Sequence, residues 1–386
     1  MASTCGSCVE RPTVDGLMLL DLITEAPHAE HEVFDAIKAS HARVVLFGAG
    51  DMAWYVLAYL RQQGIEPACV CDNDALKQGT TFLGLPVCSY AGLSRHLEGN
   101  ARYNVVVTVG PGAKDGVMDQ LRAAGEMNPV WYLRGYELCG ERLTREYVDR
   151  HAVEFEEAYA LLADEASRRV LVNVLNARLS GDLELFRAVR TAPQHFDGDV
   201  VRLTDHEVLL DVGAFTGDGI AAFVERTQAR CDAIIAMEPD EHTADLLRAR
   251  LAKDGIERVE VHNKGAWCER GRLRFQEGRA GSSRLCQSQE EATGGASIAV
   301  DTVDDIVQGR RVSYVSMDIE GAEHNALLGA QQTLERWKPQ VAVCAYHRRE
   351  DLHDLPLLLR SFVPEYRFFL RHYTHDQTET VLYALP

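Results

Sequence analysis

Apolar runs of strand length alternate with amphipathic stretches along the C-terminal half of the chain. An apolar run of about four to eight residues favours a buried strand, and apolar positions three or four apart favour a helix. The pattern predicts seven strands, at residues 208–212, 233–237, 259–263, 312–317, 340–345, 366–371 and 380–384. No long helical stretch separates the last two runs, so we expect them to pair as a hairpin at the edge of a mostly parallel α/β sheet.

The N-terminal third repeats this pattern on a smaller scale. A strand, a glycine turn and a helix start span residues 43–53, and further strand-like runs lie at 67–74, 103–110 and 130–133. The region between the two α/β patterns has apolar positions at helical spacing in a charge-rich background. We predict a Rossmann-like domain at 1–136, a helical connector at 137–198 and a larger α/β domain at 199–386.

Composition narrows the choice of partners. The chain has 386 residues, of which 46% are hydrophobic, and a formal net charge of −18. Such an acidic chain repels nucleic acid, and no apolar run reaches the roughly 18 to 20 residues that a membrane span needs. The first residues lack the basic and apolar regions of a signal peptide. We expect a cytoplasmic protein that acts on a small molecule without nucleic-acid or membrane partners, and a homo-oligomer stays open.

The most informative motif is Asp211-Val-Gly213-Ala-Phe-Thr-Gly217 at the end of one predicted strand, followed by Glu238 at the end of the next. Glycines let the backbone turn sharply towards a ligand, and a carboxylate at this place can accept both ribose hydroxyls. The spacing differs from the G-x-G-x-x-G loop of dinucleotide sites and favours S-adenosylmethionine. The predicted cofactor contacts are Asp211, Gly213, Ala214, Phe215, Gly217, Glu238, Pro239, Ala266, Trp267 and Asp318, with core packing as the alternative for Trp267.

Three carboxylates follow the fourth C-terminal strand in Met317-Asp318-Ile-Glu320-Gly-Ala-Glu323. Open α/β sheets bind ligands at the carboxyl ends of their strands. We therefore predict a catalytic and cofactor-binding role for Asp318 and a substrate-binding role for Glu320, whereas complementing a helix dipole suffices for Glu323. Ser283, in a glycine- and serine-rich segment, and Tyr346 complete the predicted substrate-binding set.

Two histidines also follow predicted strands, His347 after the fifth and His372 after the sixth. A neutral imidazole there can accept the proton of a substrate hydroxyl, so we predict both as catalytic bases, with hydrogen bonding at a strand end as the alternative. Asp318, Glu320 and His347 would also make a ligand set for a divalent ion. Because positioning alone can drive methyl transfer, we expect no metal.

Several segments together resemble the FkbM family of S-adenosylmethionine-dependent methyltransferases. They are residues 211–217, 238–239, 300–306 and 317–323, within a resemblance that covers about residues 195–386. The resemblance implies a class I methyltransferase fold and, usually, O-methylation of a sugar, polyketide or related metabolite. Met317 departs from the lysine that the family commonly has before the aspartate.

We therefore predict an S-adenosylmethionine-dependent O-methyltransferase that acts on a hydroxyl of a small metabolite, sugar or natural-product intermediate in biosynthesis. N-methylation stays open, as does the identity of the acceptor. The Gly48-Ala-Gly50 turn follows a strand, opens a helix and precedes Asp72 by 22 positions, which is the context of a dinucleotide site. An NAD(P)-dependent oxidoreductase or epimerase that uses the N-terminal domain is therefore the alternative.

Overall fold

The structure is a computed structural model of the 386-residue chain. It describes residues 18–24, 36–97, 102–132, 143–191, 196–276, 284–285 and 296–386. The chain divides into two compact units, one formed by residues 27–143 and the other by residues 1–26 together with 144–386. Within the described ranges, no helix is long and apolar enough to cross a membrane.

The first unit is built on one twisted sheet. Its strands are β1 (Arg43–Phe47), β2 (Cys69–Cys71), β3 (Thr81–Phe82), β4 (Leu85–Cys88), β5 (Tyr103–Val107) and β6 (Val130–Tyr132). The sheet has the order β3-β4-β2-β1-β5-β6, and only the β3–β4 pair in it is antiparallel. Its helices are Asp51–Gln62, Pro111–Ala123, a 3-10 helix Tyr90–Arg95 and a short helix over residues 36–40. The sequence analysis misses β3 and β4, which are too short to show a period.

The second unit contains the larger sheet and a smaller one. Its strands are β7 (Val208–Val212), β8 (Ala233–Met237), β9 (Val259–His262), β10 (Gly265–Ala266), β11 (Gly271–Gln276), β12 (Arg284–Leu285), β13 (Ala296–Asp301), β14 (Tyr314–Met317), β15 (Gln340–Cys344), β16 (Arg367–His372) and β17 (Thr380–Leu385). Seven of them form a sheet in the order β16-β17-β15-β14-β7-β8-β9. Only β17 runs antiparallel to its neighbours. The predicted seven-stranded, mostly parallel α/β sheet with a terminal hairpin is confirmed.

The smaller sheet has the order β10-β13-β11-β12 and is inserted between β9 and β14. The antiparallel pairing of β11 with β12 and β13 confirms the small hairpin predicted between residues 271 and 300. Most of the predicted substrate loop at 278–286, including Ser283, lies outside the described residues.

Helices flank the second sheet on both sides in sequence order. They are Leu19–Leu22, Arg145–Arg150, Ala152–Leu161, Glu165–Ser180, Leu183–Arg187, Asp218–Thr227, Glu241–Lys253, Val303–Val307, Glu323–Leu328, Gln331–Trp337 and Asp351–Phe362. The side chain of Arg371 on β16 reaches Asp164 at 2.8 Å, and Ser167 Oγ accepts a hydrogen bond from the backbone N–H of Leu370. These contacts group the helices of residues 144–187, predicted as a connector, with the C-terminal sheet.

The core of the second unit is aliphatic and aromatic. Side chains from β7, β8, β14 and the two helices after β7 and β8 pack together, among them Leu209, Ile220, Phe223, Ile234, Leu247 and Tyr314. Burying each such side chain stabilises the fold by roughly 1.5–3 kcal/mol. The packed strands form a rigid platform, so the residues that follow their carboxyl ends are held at one edge of the sheet.

Candidate active site

Three adjacent strands bring the predicted cofactor residues together. Val212 on β7 is in register with Met237 on β8 and with Met317 on β14. The next residue of each strand therefore lies at the same edge of the sheet: Gly213, Glu238 and Asp318. Since neighbouring strands are about 4.8 Å apart, a single ligand can span all three strand ends.

The glycine turn after β7 requires its glycines. The N–H groups of Gly213 and Ala214 both donate to the carbonyl of Met237, at 2.9 and 3.0 Å. Gly213 has a φ of 86°, and a Cβ added there would overlap the carbonyl oxygen of Asp318. Gly217 has a φ of 89° and begins the helix Asp218–Thr227. The turn therefore leaves a backbone-lined cavity edge between β7 and β14 that a larger residue would close.

Glu238 is held by the backbone of this turn. Its carboxylate accepts hydrogen bonds from the N–H groups of Phe215 and Asp240, both at 3.0 Å. Only 7% of the residue is exposed, and it forms no ion pair with any residue in the described ranges. Burial raises the pKa of Glu238, although the two backbone donors oppose this effect. The carboxylate keeps lone pairs for additional donors, as the ribose prediction requires.

The surroundings of Glu238 present both polar and aromatic groups. The side-chain amide of Asn263 donates to the carbonyls of Glu238 and Pro239, at 2.9 and 3.0 Å, and fixes the chain after β8. Phe215 is 45% exposed and has a φ of 46°, which places a strained, solvent-facing aromatic residue beside the carboxylate. Asn263 directly follows the third strand, and that position was the available signal for it.

Ala266 and Trp267 are buried parts of the smaller sheet. Ala266 on β10 pairs with Asp301, and the N–H of Trp267 donates to the carbonyl of the same aspartate. The Trp267 side chain packs with Ile298 and Val300. The structure thus places Trp267 in a packed cluster, which agrees with the packing alternative.

Asp211 lies on β7 just before the turn and is 5% exposed. Burial raises its pKa to about 7, and the nearby carboxylates of Asp318 and Glu238 act in the same direction, whereas a hydrogen bond from Ser316 opposes them. Its oxygens lie next to the helix start at Gly219. Asp211 thus adds negative charge beneath the turn.

A cluster of three carboxylates and one histidine lies beside the turn, and we call Asp318, Glu320, Glu323 and His347 the carboxylate–histidine cluster. His347 Nδ1 is 2.9 Å from Glu323 Oε1, and its Nε2 is 3.4 Å from Asp318 Oδ1 and 3.7 Å from Glu320 Oε2. The backbone N–H of Ile319 also donates to Glu323 Oε1, at 3.0 Å. The predicted convergence of Asp318, Glu320 and His347 is what the structure shows.

The backbone delivers these groups through strand register and a strained turn. Met317 on β14 is in register with Val343 on β15, so Asp318 and Cys344 lie side by side. Glu320 has a φ of 56° and Gly321 a φ of 93°, which turns the chain sharply into the helix Glu323–Leu328. This left-handed backbone at a non-glycine residue is a feature that often accompanies functional sites.

The charges in the cluster shift one another. Burial raises the pKa of Asp318 and raises that of Glu320 to about 7, while the charge of His347 opposes both shifts. Burial alone would lower the pKa of His347, but Glu323, Asp318 and Glu320 together raise it well above its usual value. For Glu323 the charge of His347 outweighs burial, and the pKa is lowered.

This electrostatic balance changes the expected role of His347. A histidine whose pKa is raised is protonated at neutral pH and has no lone pair to accept a proton. With the cluster as the structure describes it, the prediction of His347 as the base is therefore wrong. The carboxylates of Asp318 and Glu320 are the proton acceptors at this place.

His372 lies elsewhere. Its side chain is fully buried, stacks on Phe186 and has its Nδ1 2.9 Å from Thr380 Oγ1. Burial lowers its pKa to about 4. Two strands, β15 and β17, separate it from β14, a distance of about 14 Å at the usual strand spacing. The prediction that His372 is a catalytic base is therefore corrected: it is a buried core histidine, the alternative named above.

Other acidic groups reinforce the cluster. Tyr346 lies against the ring of His347 and donates to Glu379 at 3.4 Å. Asp351 accepts the N–H of Arg348 at 2.7 Å, and burial raises its pKa to about 8, with Glu323 adding to the shift. Sequence reasoning missed Asp351 and Glu379 and explained Glu323 by the helix dipole alone, because nothing local shows that all three converge on one imidazole.

Comparisons with known proteins agree with this site. Residues 211–374 match the family model described as Methyltransferase FkbM domain. The crystal structure of Methyltransferase FkbM from Methylobacillus flagellatus KT is similar over 95% of this chain and 95% of that chain, with 24% identity and a TM-score of 0.72. A search of curated proteins found no match.

Two further structures align over about half of the chain. One is an rRNA methylase from Streptococcus thermophilus, with 16% identity, coverage of 48% of this chain and 90% of that chain, and a TM-score of 0.30. The other is Precorrin-6y C5,15-methyltransferase from Geobacter metallireducens GS-15, with 12% identity, coverage of 47% and 80%, and a TM-score of 0.30.

The sheet order and the glycine turn with its neighbouring carboxylate define an α/β methyltransferase. Residues 211–374 belong to the FkbM methyltransferase family, which confirms the resemblance stated from the sequence.

Proposed function

We propose that the second unit binds S-adenosylmethionine and transfers its methyl group to a hydroxyl of a small metabolite, sugar or natural-product intermediate. The observation that carries this proposal is the position of Glu238. It is a buried carboxylate bound to the glycine turn, without a basic partner in the described ranges, one strand away from Gly213 and two from Asp318.

The cofactor part of the proposal uses three strand ends. The ribose hydroxyls donate to Glu238, and the backbone between Gly213 and Gly217 borders the methionine part. The sulfonium and the ammonium of S-adenosylmethionine are cationic, and the buried carboxylates of Asp211 and Asp318 favour positive charge nearby. This complementarity supports S-adenosylmethionine over an anionic dinucleotide.

The acceptor part uses the carboxylate–histidine cluster. The hydroxyl oxygen attacks the methyl carbon, the bond from carbon to sulfur breaks, and S-adenosylhomocysteine and a methyl ether form. The hydroxyl proton passes to the carboxylate of Asp318 or Glu320. General base catalysis of this kind contributes about 10²- to 10⁴-fold, and the raised pKa values of both groups suit a carboxylate that must take up a proton.

Turnover with paired acceptors tests the proposal. The purified full-length chain is incubated with deuteromethyl S-adenosylmethionine and with matched acceptors, such as sugars and the corresponding amino sugars, and the products are analysed by mass spectrometry and NMR. We expect the label on oxygen. For Asp318→Asn we expect kcat to fall by about 10²- to 10⁴-fold while the Kd for S-adenosylhomocysteine stays within about threefold. Label on nitrogen alone, or unchanged turnover in the variant, would contradict the proposal.

A further inference from the structure

The most unusual group in the second unit is the imidazole of His347. Its side chain is only 8% exposed, and neither ring nitrogen has a hydrogen-bond partner of good geometry among the described residues. Nε2 faces Asp318 Oδ1 at 3.4 Å and Glu320 Oε2 at 3.7 Å. A buried polar atom that faces two carboxylate oxygens without bonding to either needs an explanation.

The carboxylates have the same deficiency. Asp318 Oδ1 and Glu323 Oε2 are buried and lack a hydrogen-bond partner within the described part of the chain. Burying anionic oxygens is costly unless a cation or hydrogen-bond donors accompany them. One imidazole faces three carboxylates here, so the cluster has an excess of negative charge.

The distances suit a shared cation better than they suit hydrogen bonds. Bonds of about 2.0–2.2 Å from one metal ion to nitrogen and oxygen ligands, at angles of about 90–110°, separate neighbouring ligand atoms by about 3 to 3.6 Å. The two distances from Nε2 fall at the upper end of this range. Ligand atoms of Asp318, Glu323 and His347 also lie within 4.8 Å of one another.

Glu323 supplies the remaining feature of a histidine-containing metal site. Metal-binding histidines donate their second N–H to a carboxylate, which fixes the ring and the tautomer. Glu323 Oε1 lies 2.9 Å from Nδ1 and is itself held by the N–H of Ile319. With Nδ1 protonated towards Glu323, the lone pair of Nε2 points between Asp318 and Glu320.

We propose that Asp318, Glu320 and His347 bind one divalent transition-metal cation of the Mn²⁺, Co²⁺ or Zn²⁺ class, with Glu323 orienting the imidazole. One nitrogen and two carboxylate oxygens suit these borderline ions. The role of the ion in the reaction rests on the proposed methyl transfer: it would bind the acceptor hydroxyl oxygen next to the methyl donor and favour loss of the hydroxyl proton.

Cobalt titration tests the site. The full-length chain is dialysed against a chelator and titrated with Co²⁺ alone, and binding is followed by calorimetry and by visible absorption. We expect one site per chain. For His347→Gln we expect affinity to fall by more than the about 10- to 100-fold that a lost outer-shell partner costs. His206→Ala is the matched control, because His206 is exposed and pairs with Asp232 away from the cluster.

Each outcome decides the proposal. Absence of Co²⁺ binding to the wild-type chain, or equal affinity in His347→Gln, would overturn it. If His347→Gln fails to fold by circular dichroism, Glu320→Gln, which leaves the contact between His347 and Glu323 in place, decides instead with an expected loss of at least tenfold. Binding of S-adenosylhomocysteine is measured in parallel: its presence without Co²⁺ binding overturns the metal site alone, and the reverse result overturns the proposed cofactor alone.

Discussion

The two units of this chain use the same turn with different chemistry. In each unit a carboxylate after the second strand accepts a hydrogen bond from the glycine turn after the first strand. Asp72 Oδ2 accepts the N–H of Ala49 at 2.7 Å, and Glu238 Oε2 accepts the N–H of Phe215 at 3.0 Å. The backbone arrangement alone therefore does not distinguish the two turns.

The difference lies in what neutralises each carboxylate. Lys77 lies 3.3 Å from Asp72 and also donates to the carbonyl of Ala49 at 3.0 Å. Burial would raise the pKa of Asp72, but backbone donors and Lys77 lower it, whereas the pKa of Glu238 is raised. The first unit thus supplies its own cation and donors, and the second unit leaves these interactions for a ligand.

The third strand end shows the same contrast. Thr108, after β5, donates to the carbonyls of Phe47 and Gly48 and closes the first turn with neutral groups. Asp318, after β14, has a buried oxygen that lacks a hydrogen-bond partner in the described ranges. Function therefore depends on which groups stay unsatisfied, not on the presence of a glycine turn.

The largest expected effect is that of Gly213→Ala. An alanine there combines a positive φ with overlap of the Asp318 carbonyl, so we expect the free energy of unfolding to fall by about 3 kcal/mol or more. Gly50→Ala is the control in the other turn, because no atom lies within 4 Å of an added Cβ there. Thermal and urea unfolding measure both. A melting temperature of Gly213→Ala equal to that of Gly50→Ala would contradict the geometry of the turn.

The next effect concerns the paired carboxylates. Glu238→Gln removes a charged acceptor of the ribose hydroxyls, and hydrogen bonds to charged groups contribute about 1.5–3 kcal/mol. We expect the affinity for S-adenosylhomocysteine, measured by calorimetry, to fall by about 10- to 100-fold. Asp72→Asn should leave that affinity unchanged. Equal losses in the two variants would remove the distinction between the two turns.

The smallest effect contrasts the strand ends of the second sheet. The pKa of His372 is about 4 in the folded protein and about 6.5 in an unfolded chain. Above pH 6.5 both states are neutral and the group has no effect. Between pH 6.5 and pH 5.5 the unfolded chain takes up the proton and the folded protein does not, so stability falls as pH falls, by about 1 kcal/mol.

His372→Asn isolates this contribution. Asparagine can still bond to Thr380 and does not titrate, while the carboxylates remain the same in both proteins. Urea unfolding at several pH values should show a shallower loss of stability in the variant between pH 6.5 and pH 5.5. Parallel profiles for the two proteins would show that His372 is not buried in its neutral form.

Periodicity was sufficient to predict the sheet. The apolar runs predicted Val208–Val212 and Ala233–Met237 with the bounds that the structure has, because fully buried parallel strands are continuous in hydrophobicity. The carboxylates at the strand ends followed from the same pattern. The short strands β3 and β4 did not, since two to four residues carry no period.

The roles of the histidines could not be predicted locally. His347 is protonated because Glu323, which the sequence places at a helix start, lies against its ring. His372 is buried because Phe186, in a region predicted as a connector, stacks on it. Both facts depend on contacts between segments far apart in the chain, and neither histidine carries a signal of them in its neighbouring residues.

The most direct measurement is a calorimetric titration of the full-length wild-type chain with S-adenosylhomocysteine and, separately, with NADP⁺. The contrast between Glu238 and the Asp72–Lys77 pair predicts one site for S-adenosylhomocysteine per chain and no heat of binding for NADP⁺. Binding of NADP⁺ without binding of S-adenosylhomocysteine would contradict this account and move the ligand site to the turn at Gly48 and Gly50.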